Sequence, residues 1–430
     1  MDGGLLKRFL GYAGRVLHVD LTRGKVTAEP LRKELAEGLL GGFGVNNKLA
    51  YDYAPAGVNP LSPESLVVFG AGPLNGTLAP GAAKIHVTAK MPLTGFYGTC
   101  GGGGGFALQL KLAGYDHVVV AGRADRPVYI LIDGGDVKLL SAEDLWGEPT
   151  YEATLELWER HQGSSVVAVG PAGERLVKFS LTLVDNVATL GRGGLGAVFG
   201  SKNLKAVVAR GSGEVEVADR ERFMKTVNEL RERIEKYPLR PLLAEYGMMA
   251  GWGAWAEMFQ VPVEEAQRYF DPELFSSRVK VASVACPSCP FSCKFLFRES
   301  GVDVWAADYF TPLAAFGYAF QITDHSKILR ITAAVNQYGL DMLSLSSLVN
   351  LVLELHSRGV ISSDELGGLK PESNAETVLA VARLVAERRH IGEVLAEGWR
   401  EVVRRFGEVA ENGVATVKGL DVLYDPRRTY

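Results

Sequence analysis

The chain has 430 residues, of which 47% are hydrophobic and 22% are charged, and its formal net charge is −4. This composition is typical of a globular protein and excludes wholesale disorder, and the length suffices for two or three domains. The weak negative charge predicts no binding to nucleic acid or to an anionic membrane, and no run reaches the roughly 18 apolar residues of a membrane span. Because its start lacks a signal-peptide pattern, the chain is expected to be cytoplasmic.

Short apolar strands dominate the first 213 residues. The pattern predicts strands and hairpins over 16–21, 25–27, 65–69, 85–89, 117–121, 128–132, 137–140, 166–169 and 204–209. It predicts helices over 31–40, 45–53, 106–113, 151–161 and within 190–200. Many short strands with few helices between them favour an α+β fold with antiparallel or mixed sheets over a regular βαβ array.

Glycine is the unusual residue of this composition, at 50 of 430 residues against a usual level of about 7%. Five glycines follow one another from Gly101 to Gly105, directly after the lone cysteine Cys100. Such a run exposes bare amide groups, which suits a large anionic or polar ligand held close to the backbone. The alternative is a flexible loop, and the run by itself does not separate the two.

The residues after Gly213 have the apolar spacing of helices. Helices are predicted over 220–236, 238–246, 327–338, 343–358, 375–388 and 391–406. We therefore predict two domains: an α+β domain over 1–213 and a mainly α-helical domain over 214–430, with a cysteine-rich loop inserted between its helices.

That loop carries Cys286, Cys289 and Cys293 in a C-x2-C-x3-C pattern. Spacings of two and three residues let one tight loop direct several thiolates at a common centre, as an iron–sulfur cluster or a soft metal requires. Zinc needs a fourth ligand that the loop does not offer nearby, and a disulfide leaves one of three thiols unpaired. Cys100 is the only other cysteine, and it is either a fourth ligand or a small buried thiol.

Several stretches, in one order along the chain, resemble the tungsten-containing aldehyde:ferredoxin oxidoreductase family. They are GYAGRVLHVDLT (11–22), GPLNGT (72–77), PLTG (92–95), KLAGYD (111–116), GPAGE (170–174), GRGGLGAV (191–198), GSKNLKA (200–206) and the cysteine loop. The resemblance implies an N-terminal base domain of two sheets that binds a bis-pterin cofactor of tungsten or molybdenum. It also implies that Cys286, Cys289 and Cys293 hold a 4Fe–4S cluster, which takes electrons from the metal to ferredoxin.

The resemblance also assigns individual cofactor contacts. The phosphate and pterin contacts expected in the base domain are Lys84, Gly101, Gly102, Gly103 and Arg192. The second domain contributes a segment similar to the family's D-x-x-G-L-D motif, with Asn336, Gly339, Leu340 and Asp341 as the expected pterin contacts. A helix end capped by Gly339 fits the same residues and is compatible with that role.

The sequence departs from the family pattern at several of these positions. Lys84 stands where arginine is common, Gly101 stands where asparagine is common, and of two arginines in a further loop only Arg192 is present. A glutamate of the active site is missing unless Asp308 replaces it. The chain ends shortly after a segment similar to the entry of the family's third domain, so a separate C-terminal polypeptide is expected to complete the site and the cluster.

The leading hypothesis is oxidation of a small aldehyde to a carboxylic acid, with ferredoxin as acceptor and a homo-oligomer as the expected assembly. In this hypothesis no side chain attacks the substrate, and the protein positions cofactors and tunes their potentials. One alternative is an iron–sulfur electron-transfer or scaffold subunit that has lost cofactor contacts and is completed by another polypeptide. Another is a structural zinc protein.

Overall fold

The computed structural model describes residues 10–258, 261–299, 302–306 and 309–422. We call residues 10–213 the base region and the described residues after them the helical region. In the base region the strands are β1 (Arg15–Asp20), β2 (Lys25–Pro30), β3 (Val67–Gly70), β4 (Ile85–Lys90), β5 (Tyr97–Gly102), β6 (His117–Ala121), β7 (Val128–Asp133), β8 (Asp136–Ser141), β9 (Ser165–Val169), β10 (Thr182–Val184), β11 (Ala188–Leu190) and β12 (Leu204–Arg210). Its helices are α1 (Lys33–Leu39), α2 (Gly42–Tyr53), α3 (Phe106–Leu112), α4 (Thr150–Arg160), α5 (Pro171–Glu174) and α6 (Leu195–Ser201).

The base strands form two six-stranded sheets of the same topology. The first has the order β2-β1-β6-β3-β4-β5 and the second β8-β7-β12-β9-β10-β11. In each sheet one central pair is parallel, β1 with β6 and β7 with β12, and the other pairs are antiparallel. Each sheet starts with a hairpin, and a glycine-capped helix, α3 or α6, precedes its last strand in the chain. The base region is thus built from two copies of one unit.

Alternating apolar residues explain why the two sheets stack. Val207 and Ala209 of β12 face the core between the sheets, while Ala206 and Val208 face the opposite side under α4. The helices α3 and α6 lie between the sheets, where Phe106 and Phe199 both contact Phe69 at ring-centroid distances of 5.7 and 6.0 Å. The helices α1 and α2 cover the outer face of the first sheet.

The helical region contains two further small sheets, one of three strands and one of two, and many helices. Its helices are α7 (Arg220–Glu235), α8 (Arg240–Tyr246), α9 (Trp252–Met258), α10 (Val263–Phe270), α11 (Pro272–Arg278), α12 (Phe310–Pro312), α13 (His325–Tyr338), α14 (Met342–Ser357), α15 (Ala375–Glu387), α16 (Gly392–Leu395), α17 (Trp399–Phe406) and α18 (Glu408–Gly413). A π-helical segment follows α12 over Leu313–Tyr318, and short 3-10 turns lie at Gly247–Gly251 and Asp364–Leu366. The strands are β13 (Lys280–Val284), β14 (Lys294–Glu299), β15 (Val302–Ala306), β16 (Thr416–Val417) and β17 (Leu420–Asp421).

The α+β fold, the two sheets of the base and the helical character of the second half are confirmed. In the described ranges, no helix combines the length and the apolar character that a membrane crossing requires. The domain boundary at residue 213 stays a prediction.

Several local predictions were wrong. The start of the glycine run belongs to an edge strand, because Gly101 and Gly102 pair with His86 and Ile85 of β4. The cysteine loop does not connect two helices; it connects β13 and β14 of a three-stranded antiparallel sheet. The helix predicted over 391–406 is interrupted between α16 and α17, where Gly398 has a φ of 82°.

Candidate functional site

The cysteine loop is a tight turn that leaves β13 and returns in β14. The amide of Cys289 donates to the carbonyl of Cys286 at 3.0 Å. Ser288 and Ser292 both adopt left-handed backbone conformations, with φ of 58° and 49°. These turns fold the chain back twice within a few residues, so that all three cysteines project from one compact loop.

The loop packs on the base region at two places. The amide of Gly81 donates to the carbonyl of Ser288 at 3.2 Å, and the Ser288 hydroxyl donates to the carbonyl of Thr77 at 3.4 Å. At the second place the amide of Gly104 donates to Sγ of Cys286 at 3.4 Å. The glycine run thus contacts the predicted cluster loop directly.

Gly103 lies so close to this loop that a side chain there would force Cys286 and Lys294 to move. A Cβ at Gly103 would lie 2.8 Å from Sγ of Cys286 and 2.7 Å from Nζ of Lys294. Glycine at this position is therefore explained by close approach of the two regions.

The three cysteines influence one another electrostatically. Burial raises the pKa of Cys293, and the neighbouring thiols Cys289 and Cys286 raise it further. A cation bound between them would reverse this mutual repulsion, and soft thiolates are the ligands an iron–sulfur cluster takes. Among the described residues no three Cys, His, Asp or Glu side chains converge as metal ligands do, so the cluster stays a prediction.

A cavity of about 310 Å³ lies between the base and helical regions. Its walls come from the end of β5, from β11 and the glycine turn after it, from α12, and from the junction of α13 and α14. The lining residues are Cys100, Gly101, Leu181, Thr189, Leu190, Gly191, Arg192, Thr311, Pro312, Asn336, Asp341, Met342 and Leu343. Four of the predicted contacts, Gly101, Arg192, Asn336 and Asp341, thus meet in one cavity.

Arg192 joins the two regions at this cavity. Its Nε donates to Oδ2 of Asp341 at 2.7 Å, and its Nη2 donates to the backbone carbonyl of Asp421 at 2.9 Å and lies 3.2 Å from Oδ2 of the same residue. Asp421 is fully buried and also accepts from Ser344 and Ser347. The predicted phosphate contact therefore already holds two carboxylates.

Asp341 also begins a helix. Its Oδ1 accepts from the amide of Leu343, so it caps the N-terminus of α14. Burial raises the pKa of Asp341, and the adjacent guanidinium of Arg192 opposes this rise. Asp341 can accept further hydrogen bonds from a ligand only on lone pairs that these partners leave open.

Asn336 presents an unused acceptor at the same cavity. The side chain is only 3% exposed, its Nδ2 donates to the Tyr151 hydroxyl at 3.0 Å, and its Oδ1 has no partner among the described residues. A buried amide oxygen without a donor costs free energy, on the order of 1–3 kcal/mol. A ring amino group entering the cavity would satisfy it, which is the role that the family resemblance assigned to this position.

Gly339 and Leu340 have structural roles. Gly339 caps α13 in the left-handed conformation, and its carbonyl accepts from the amide of Leu181 at 2.8 Å. Leu340 is fully buried and bridges to Ser180. The helix-end interpretation is confirmed for Gly339, and contact of either residue with a cofactor stays a prediction.

The remaining predicted residues lie outside the cavity lining. Lys84 is exposed and its side chain passes near Gly101. Gly102 packs against Leu190 and Val184 of the second sheet. Asp308 lies outside the described residues, whereas Thr311 of the same predicted segment lines the cavity.

Sequence reasoning missed three polar residues that belong to these sites. His86 lies between Gly42 and Gly101, and burial, with the nearby Lys84, lowers its pKa. Asp421 and Lys294 are buried charges. Lys294 directly follows the last cysteine of the loop, and that adjacency was the one available signal.

Cys100 faces the cavity and not a set of thiols. Its Sγ lies 3.9 Å from the carbonyl of Arg192, and it packs against the core between the sheets. Burial raises the pKa of this thiol to about 11. These properties favour the small buried thiol over the fourth cluster ligand.

Two family descriptions match the chain. "Aldehyde ferredoxin oxidoreductase, N-terminal domain" matches residues 16–211, and "Aldehyde ferredoxin oxidoreductase, domains 2 & 3" matches residues 225–430. Together they take in nearly all of both regions.

Known proteins similar to the chain carry several activities in their names. The tungsten-containing aldehyde ferredoxin oxidoreductase of Pyrococcus furiosus is 34% identical, with 97% of this chain and 71% of that protein covered. An aliphatic sulfonate oxidoreductase subunit of Pyrococcus furiosus is 29% identical, with 96% and 69% covered. Among solved structures, the active-site complex BamBC of benzoyl coenzyme A reductase, bound to 1,5-dienoyl-CoA, matches with a TM-score of 0.86 at 28% identity, over 96% of this chain and 66% of that one.

Proposed function

Because the chain belongs to the aldehyde ferredoxin oxidoreductase family, we propose that it oxidises an aldehyde to a carboxylic acid and passes the electrons singly to ferredoxin. The proposed cofactors are a bis-pterin complex of tungsten or molybdenum and a 4Fe–4S cluster held by Cys286, Cys289 and Cys293. When bound, the metal would supply the two-electron chemistry, and the cluster would divide it into one-electron steps.

One observation supports this function above the others: a single stretch of chain connects the cavity with the cysteine loop. Cys100 and Gly101 line the cavity, while Gly103 and Gly104 contact Cys286. Four residues of extended chain span at most about 14 Å. A cofactor in the cavity would therefore lie beside a cluster on the loop, as electron transfer between them requires.

The described residues fit a pterin ligand by their chemistry. Asn336 offers a buried acceptor without a donor, and Gly101 exposes backbone where a side chain would block approach. Arg192 and Asp341 fix each other at the cavity wall, so that they would orient a ligand with little further loss of side-chain entropy. In this proposal these residues bind and orient the cofactor, and the closure of the two regions excludes water from it.

A second function is supported by the ion pairs that Arg192 already makes with Asp341 and Asp421. A guanidinium held by two buried carboxylates, and an exposed lysine at position 84, offer little to pterin phosphates. These features favour an electron-transfer or scaffold subunit that carries only the iron–sulfur cluster.

Anaerobic purification followed by metal and pterin analysis separates the two functions. Iron with tungsten or molybdenum, and reduction of a viologen dye that depends on added aldehyde, would support the oxidoreductase. Iron without either metal would support the electron-transfer subunit. A zinc-containing, colourless protein would contradict both.

The assay needs a broad substrate panel, because the relatives include proteins named for sulfonate and acyl-CoA chemistry. Cys289→Ser is the matched variant: it removes a proposed cluster ligand, and we expect it to abolish the visible absorption. Cys100→Ser is the control, and we expect it to retain the absorption. A cluster of unchanged absorption in Cys289→Ser would contradict the assignment of the ligands.

A further inference from the structure

Lys294 is a buried cation without a counter-charge in contact. Its side chain is only 5% exposed, and its Nζ has no hydrogen-bond partner among the described residues. It follows Cys293 in the chain, yet it contacts Gly103 of the base region, where Nζ lies 2.7 Å from the position of a Cβ. The same Cβ position lies 2.8 Å from Sγ of Cys286. The ammonium and the thiol therefore border one small volume.

The two units of the base region can be compared at this place. The first unit has Gly103 two residues before Gly105, the N-cap of α3, and the second has Arg192 two residues before Gly194, the N-cap of α6. At Arg192 the turn supplies its own cation. At Gly103 the turn has no side chain, and Lys294 brings a cation to that place from the cysteine loop.

The turn that receives Lys294 is held in a fixed orientation. Oδ2 of Asp185 accepts from the amide of Gly105 at 2.7 Å, and Oδ1 of Asp185 accepts from the amide of Val166 at 2.8 Å. Gly104 has a φ of 107°, which only glycine adopts readily, and its amide donates to Sγ of Cys286. The amide of Gly104 thus donates to one proposed cluster ligand, and the ammonium of Lys294 lies beside the same ligand.

The charge of Lys294 also influences its other neighbours. Burial raises the pKa of Cys293 and of Asp185, and the ammonium opposes both rises. Its field therefore extends to the loop on one side and to the base on the other.

We propose that Lys294, together with the amide of Gly104, is a positioning and tuning element that raises the reduction potential of the cluster. This inference rests on the proposed function, because it requires a cluster on the loop. Reduction adds one electron to the cluster, and a nearby buried cation and an N–H···S hydrogen bond stabilise the added negative charge. Removing the cation should make the cluster harder to reduce.

The test is a redox titration of the anaerobically purified full chain, with dithionite as reductant and the paramagnetic signal of the reduced cluster as readout. Iron and sulfide content of the unaltered chain are measured first. For Lys294→Met we expect an unchanged cluster content and a lower reduction potential of the cluster. The expected shift is about 59 mV for one electron, which corresponds to about a tenfold lower ratio of reduced to oxidised cluster at a fixed potential. Lys294→Arg keeps the charge and should titrate close to the unaltered chain.

Lys280→Met is the matched control. Lys280 lies on β13 of the same small sheet, but Glu245 lies 3.2 Å from its ammonium, so loss of this lysine should leave the potential unchanged. A full cluster content with an unshifted reduction potential in Lys294→Met would overturn the proposal. If the pterin content of this variant fell at the same time, the ammonium would have a role in pterin binding and not in tuning the cluster.

If Lys294→Met loses the cluster, the same titration is made with Lys294→Gln, which keeps a polar end in a similar volume. A lower reduction potential of the cluster in Lys294→Gln supports the tuning role. Loss of the cluster from both neutral variants but not from Lys294→Arg overturns it, because the ammonium would then be needed for assembly. An unaltered chain without iron would refute the proposed cluster itself, and that outcome is separate from any shift between variants.

Discussion

His117 is fully buried in β6, where its Nδ1 lies 2.9 Å from Oδ1 of Asn46 and its Nε2 has no partner among the described residues. Burial lowers the pKa of this imidazole from 6.5 to about 4. The folded chain therefore keeps His117 neutral at pH values where the unfolded chain protonates it. Between about pH 6.5 and pH 4 the unfolded state binds the additional proton, so stability falls as the pH falls.

We expect this residue alone to remove about 3 kcal/mol of stability between pH 6.5 and pH 4. Denaturant unfolding at several pH values measures the effect, and His117→Gln should flatten the dependence in this window. The control is His390→Gln, since His390 is exposed. An equal pH dependence in the unaltered chain and in His117→Gln would show that other groups carry it.

At the scale of the element, glycines decide where helices can approach one another. Gly200 of α6 lies against α5, where a Cβ would be 2.0 Å from the carbonyl oxygen of Gly173. Gly38 of α1 has nothing within 4 Å of its Cβ position. The same substitution should therefore have opposite effects at the two positions.

We expect Gly200→Ala to destabilise the chain by about 3 kcal/mol or more, since the backbone of α5 would have to move. Gly38→Ala should stabilise it by about 0.5–1 kcal/mol, because alanine restricts the unfolded chain and fits the exposed helix. Thermal unfolding of both variants measures the two effects. A Gly200→Ala protein as stable as the unaltered chain would contradict the close approach of α5 and α6.

Element types could be predicted wherever apolar spacing was regular. The hairpins β1–β2 and β7–β8 and the helices α13, α14 and α15 follow directly from it. The strand β5 was missed because its residues are mainly small and glycine-rich, so its pairing is decided by β4. The strand β13 was missed because it is mostly exposed.

At the scale of the whole molecule, ion pairs with two buried carboxylates connect the base and helical regions. Arg192 of the base contacts Asp341, which precedes α14, and Asp421, which lies in β17 near the end of the described residues. Arg192→Met would leave two buried carboxylates without their cation, and we expect it to cost about 3 kcal/mol. Arg404→Met removes only an exposed, solvent-screened pair with Glu401, so its stability should stay close to that of the unaltered chain.

Limited proteolysis combined with denaturant unfolding measures this prediction. Arg192→Met should open the contact between the regions and expose the junction of α13 and α14 to cleavage. Equal stability and equal cleavage in Arg192→Met and Arg404→Met would show that the ion pairs do not hold the regions together.

The candidate site could be predicted only as separate parts. The three cysteines and the segment from Asn336 to Asp341 were found from their spacing and from family resemblance. That Gly101 and Gly103 face different sites could not be predicted, because it depends on where β5 ends between two sheets. The contacts of Asp421 and Lys294 depend on residues far apart in the chain, and the only local signal is the adjacency of Lys294 to Cys293.

The duplicated unit of the base has a consequence for ancestry. Two sheets of identical strand order within one chain indicate a tandem duplication of an ancestral gene segment. The two glycine turns differ in one respect: one bears Arg192, and the other has glycine where Lys294 approaches. Positions 103 and 294 should therefore have changed together during descent, since a side chain at 103 would displace the ammonium of Lys294 from its place beside Cys286.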